Sequence, residues 1–139
     1  MPTGAKAAVS RVQDIEANRR YVDSSGIRDR SVEQSLIPVQ AAVYKLAKAG
    51  DELSKSDTKS AAQTLSADWV LSFATASKAI ASTPDTRSKV DDILVDIKSA
   101  AVAAGSGKVG DARSAYVSAV VAVQGWATEA GVTGQLKGL

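Results

Sequence analysis

Four stretches of the chain repeat apolar side chains at helical spacing, and polar connectors divide them. In the longest, Asp57 to Ser82, the residues Leu65, Trp69, Phe73, Ala76 and Ile80 return every three or four positions and so share one face of a helix. This face holds the chain's single Phe and one of its two Trp, so it carries a large share of the buried area. A second stripe, Val32, Leu36, Val39, Val43 and Leu46 or Ala47, predicts a helix from Ser31 to about Gly50. Ser31 and Gln34 match a capping box, and Gly50 suits a C-cap. Pro38 lies inside this stripe and predicts a kink or a start delayed to that point, because it lacks a backbone donor and crowds the preceding turn; the stripe running through it favours the kink.

Val90, Ile93, Leu94, Ile97, Ala101 and Ala104 form the cleanest stripe, starting at a Thr83 cap with Pro84 in the first helical position and ending at Gly105-Ser106-Gly107. The last helix runs from about Val109 or Asp111 to Ala130, burying Ala112, Tyr116, Val120, Val123 and Ala127, with Gly131 as its stop. Val117 and Val121 widen that stripe and predict contact with two neighbours. Helices of about twenty residues, each roughly 30 Å long and joined by short connectors, pack most simply as an all-α, up-down-up-down four-helix bundle. The expected organisation is an N-terminal arm over 1–30, the bundle over 31–131 and a C-terminal tail over 132–139.

The arm differs from the rest in charge. Residues 1–30 contain six basic and four acidic side chains, whereas the remaining residues balance, so the net charge of +2 resides in the arm. Ala5, Ala8, Val9, Val12 and Ile15 have helical spacing, but an isolated helix of that length is marginal. Ser24-Ser25-Gly26 marks a turn or linker. Arg19, Arg20, Tyr21, Arg28 and Arg30 are the candidate partner-binding residues; the alternative is a solvated arm.

Composition narrows the chemistry further. The 139 residues include no Cys and no His. Common zinc sites, Ser/His and Cys/His nucleophile pairs and imidazole relays therefore cannot be assembled from them. Gly105-Ser106-Gly107-Lys108 lacks the spacing of a phosphate loop, with Val102 and Val109 at positions that need Gly and Ser or Thr. Asp91, Asp92 and Asp96 lie opposite an apolar face beside Lys89 and Lys98, the layout of a solvated surface. Trp69 and Trp126 sit in helical stripes and are read as core. Nothing predicts a cofactor, a metal, a small-molecule substrate or nucleic-acid binding. No run of eighteen apolar residues predicts a membrane span, and Met1 to Ser10 lacks the apolar core of a secretory signal.

Ala17-Asn18-Arg19-Arg20-Tyr21, Ala67-Asp68-Trp69-Val70, and Trp126 followed by Gly131, Gln135, Leu136, Lys137, Gly138 and Leu139 resemble the thylakoid-lumen proteins that maintain photosystem II under high light, including their green-algal relatives from thylakoid-enriched fractions. The resemblance implies a non-enzymatic chloroplast protein, imported with loss of its targeting peptide. It would be peripherally attached through protein contacts to photosystem II core or assembly-intermediate subunits on the lumenal side. Its role would lie in assembly, repair or stability. The competing readings are an extrinsic oxygen-evolving subunit of the PsbQ type, a helical adaptor unrelated to photosynthesis, and a membrane-surface protein using residues 5–20.

Overall fold

The computed structural model describes residues 30–139, with side chains from Glu33 onward. Among these residues are five α-helices and no strand: α1 Arg30–Ser54, α2 Thr58–Leu65, α3 Trp69–Ile80, α4 Pro84–Gly105 and α5 Val109–Ala130, followed by a 3-10 turn at Thr133–Gln135. The all-α expectation holds, but the stretch expected to form one helix from Asp57 to Ser82 is two.

The break at Ser66-Ala67-Asp68 has a side-chain cause. Trp69 turns its indole back so that Nε1 donates to the Thr64 carbonyl at 2.6 Å. In a continuous helix that oxygen would accept from Asp68 four residues on. The chain instead tightens, with Ala67 N donating to the same carbonyl at 3.5 Å, and α3 begins afresh at Trp69. Trp69 and Phe73 still reach the core, so the apolar stripe survives the break.

The end of α1 also differs from the sequence reading. Gly50 lies inside the helix, which continues to Ser54. A Cβ at Gly50 would lie 2.8 Å from Tyr116 Cζ, so this glycine admits a ring from α5 rather than ending a helix. The true end uses Ser56 at φ 59°, with Ser56 N donating to Leu53 O at 3.0 Å and Asp57 N to Glu52 O at 2.8 Å. That pair of bonds is a Schellman motif built on a serine. Arg113 reinforces it from α5: Nε donates to Leu53 O at 2.9 Å and a terminal nitrogen to Ser56 Oγ at 3.1 Å. A guanidinium there meets the negative end of the α1 dipole. Helix α1 runs without interruption through Pro38, so its start is not delayed to that residue.

The predicted boundaries at Asp57, Thr83, Gly105 to Gly107 and Gly131 hold. Asp57 caps α2 by accepting from Ser60 N at 3.1 Å, and Thr83 caps α4 by accepting from Thr86 N at 3.1 Å ahead of Pro84. Gly131, at φ 74°, ends α5 in a Schellman motif in which Val132 N donates to Ala127 O at 3.0 Å. Gly105-Ser106-Gly107-Lys108 is the same kind of turn, Lys108 N reaching Ala103 O at 2.9 Å, as expected of an interhelical connector.

Helix α4 packs along α5 and also against α2 and α3. The main core gathers Val39, Leu46, Phe73, Ile93, Val123 and Trp126, with Phe73 and Trp126 edge-to-face at 6.2 Å between ring centres and 73° between planes. A smaller cluster contains Leu53, Ala61, Ala104 and Ala112. The expected contact of α5 with two neighbours holds, since it packs along α4 and reaches α1 through Arg113 and Tyr116, but not through the expected residues: Val117 and Val121 are 56% and 60% exposed, while Ala119 and Trp126 are buried. The fully buried residues of α5 are Ala112, Ala119, Val123, Trp126 and Ala127.

Candidate docking surfaces

Of the residues singled out for partner binding, Arg19, Arg20, Tyr21 and Arg28 lie outside the described residues. Arg30 opens α1, and its side chain likewise lies outside them. The short helix expected over Ala5 to Ile15, the Ser31 capping side chain and Val32 share that position.

The C-terminal tail is held to α1 by a reciprocal pair. Gln40 Nε2 donates to Lys137 O at 2.9 Å, while Gln40 Oε1 accepts from Lys137 N at 2.8 Å. One side-chain amide thereby satisfies both backbone groups of Lys137. Val132 and Leu136 are buried in the main core, and Leu139 packs partly against it. Tyr116 supplies another tie between α1 and α5, its hydroxyl donating to Leu46 O at 2.8 Å; burial raises its pKa above the usual phenol value.

A polar cleft of about 230 Å³ opens between α1 and α2, lined among others by Lys45, Lys48, Glu52, Gln63, Thr64 and Trp69. At its base the Thr64 hydroxyl donates to Glu52 Oε1 at 2.7 Å and accepts from Lys48 Nζ at 3.3 Å. Lys48 Nζ also lies 3.3 Å from Glu52 Oε2. The Glu52 side chain is only 13% exposed, so this ammonium and hydroxyl compensate a carboxylate that burial would otherwise penalise. Sequence reasoning missed this cleft. The Lys48/Glu52 spacing of four residues is a visible signal, but Thr64 belongs to another helix and the helical stripe marks Trp69 only as core.

The acidic group on α4 is spread over the surface. Asp91 pairs with Lys78 of α3 at 2.7 Å, Lys89 pairs with Glu129 at 3.3 Å, and Asp92 is exposed. Among the described residues no group of three or more His, Cys, Asp or Glu could hold a metal ion, and no helix is long and apolar enough to cross a membrane.

Fold and surface together define an all-helical protein whose internal polar groups serve mainly as caps and ties between helices. Residues 37–139 match the family model described as Maintenance of Photosystem II under High light 2. The chain belongs to that family, whose description relates it to photosystem II maintenance. A comparison with curated proteins gives no match. Two of the three sequence words behind the resemblance, Ala67-Asp68-Trp69-Val70 and the group from Trp126 to Leu139, fall within the matched residues; Ala17-Asn18-Arg19-Arg20-Tyr21 precedes them.

Proposed function

We propose that this protein is a non-enzymatic component of the chloroplast thylakoid lumen that binds the lumenal side of photosystem II and assists its assembly, repair or stability. The observation that carries this reading is the family match over residues 37–139. Supporting it, the sequence supplies no imidazole or thiol for the commonest catalytic constellations. The five helices are read as an up-down-up-down bundle of four rods, with α2 and α3 sharing one rod. The packing of α4 against α2, α3 and α5 supports that arrangement.

In this proposal the arm supplies the address. Arg19, Arg20, Arg28 and Arg30 pair with carboxylates on an acidic lumenal surface, and Tyr21 anchors the contact. Because the chain contains no His, its charge stays nearly constant as the illuminated lumen acidifies, until carboxylates titrate near pH ~4.

The test is co-migration of tagged full-length protein with thylakoid complexes on a native gel, followed by identification of its partners. Association with photosystem II core or assembly intermediates is expected. Replacing all four arginines with Gln should abolish it. A protein that migrates alone would overturn the photosystem reading, and unchanged association of the Gln variant would overturn the role of the arm.

A further inference from the structure

The cleft between α1 and α2 has a chemistry that its role in the fold does not exhaust. Its deepest polar groups are mutually satisfied: Glu52 accepts from Thr64 and Lys48, and the Trp69 indole N–H donates to the Thr64 carbonyl. What remains at the mouth is rich in donors. Lys48 has three N–H bonds, of which the contacts to Glu52 and Thr64 use two. Lys45, one turn earlier on α1, is exposed and brings a second ammonium. Gln63 adds an amide from the α2 wall. Two lysines against one already paired glutamate leave the lining with an excess positive charge.

Size narrows the occupant. At about 230 Å³ the cleft falls below the roughly 300–1,000 Å³ typical of small-molecule and cofactor sites. It has room for a side chain rather than a whole cofactor. Trp69 also lines the cleft, and a short methylene stem can lie against it while the lysines hold its charged end.

We propose that this cleft takes a glutamate or aspartate side chain from an acidic peptide segment of a partner protein. Lys45 and the free N–H of Lys48 bind its carboxylate, Gln63 donates to the peptide backbone or second oxygen, and Trp69 packs against the stem. Charge complementarity selects the occupant, because Glu52 repels an anion placed too deep and the lysines hold one at the mouth. The inference is independent of the photosystem assignment.

The test uses the full chain, labelled with ¹⁵N, and a short polyglutamate peptide with blocked ends. The two indole N–H signals separate the cleft from the core, since Trp69 lines the cleft and Trp126 is fully buried elsewhere. Addition of peptide should shift the Trp69 indole and the amides of Lys45, Lys48 and Gln63, leaving the Trp126 indole unmoved. Lys45→Gln should weaken binding about three- to tenfold, the worth of one charge-assisted contact at a partly exposed site. Lys98→Gln, on the outer face of α4, should leave it unchanged. A shift pattern centred elsewhere, equal weakening by the two variants, an equal response to polyglutamine, or stronger binding to inorganic phosphate or anionic vesicles would overturn the proposal. Only protein and synthetic probes take part, so failure here is distinguishable from failure to associate with photosystem II.

Discussion

The two hydrophobic clusters hold their helices together by different means. The larger one is filled by bulky side chains, with Phe73 set edge-on to Trp126 and Ile93, Ile97 and Val123 around them. The smaller one contains three alanines and Leu53, so its helices meet with little side chain between them. Alanine contributes little transfer free energy, and stabilisation there rests on close approach and on polar ties such as Arg113 to the end of α1. A core rich in aromatics should therefore suffer most from lost volume, and an alanine core from added volume.

The largest expected effect is Phe73→Ala. Phe73 is 1% exposed, and truncating such a residue removes transfer free energy and leaves a cavity, a loss of about 3–5 kcal/mol. Urea unfolding followed by near-ultraviolet circular dichroism should show a much lower midpoint with a weakened Trp126 signal. A loss below about 1 kcal/mol would mean that the ring is not packed as described. The reciprocal change, Ala112→Leu, adds volume where Ala61, Ala104 and Leu53 already meet, and should cost about 1–3 kcal/mol through displaced helices. A neutral or stabilising result in the same unfolding assay would show that the alanine cluster has slack, and the contrast between the clusters would collapse.

These differences mark what could be seen in advance. The caps at Asp57, Thr83 and Gly131 were legible because each depends on residues within a single turn. The division between α2 and α3 was not, because apolar periodicity passes through Ser66-Ala67-Asp68 unchanged while one indole N–H diverts the Thr64 carbonyl. Gly50 was misread for a related reason: a glycine that ends a helix and one that admits a distant ring look alike until Tyr116 is placed beside it. Val117 and Val121 satisfied the helical spacing yet face outward, since periodicity identifies a possible face but not the number of neighbours that cover it. The cleft was obscure because its base forms only when Thr64, on another helix, hydrogen-bonds both Glu52 and Lys48.

The smallest effect sharpens the role of caps against that of packing. Asp57 sits in the connector between α1 and α2, and its hydrogen bonds to Ser60 hold its pKa below the ordinary carboxylate value, with Lys55 and Lys59 adding to the shift. A carboxyl whose pKa is depressed on folding contributes stability above its unfolded pKa of about 3.9 and loses it as pH falls through the folded value. Replacement by Ala should therefore lower the unfolding midpoint slightly at neutral pH, and the gap between variant and parent should close as the solution is acidified below that unfolded value. Midpoints measured from neutral to acidic pH give the sign directly. A gap that persists unchanged into acid would mean that Asp57 acts through its shape in the turn rather than through its charge.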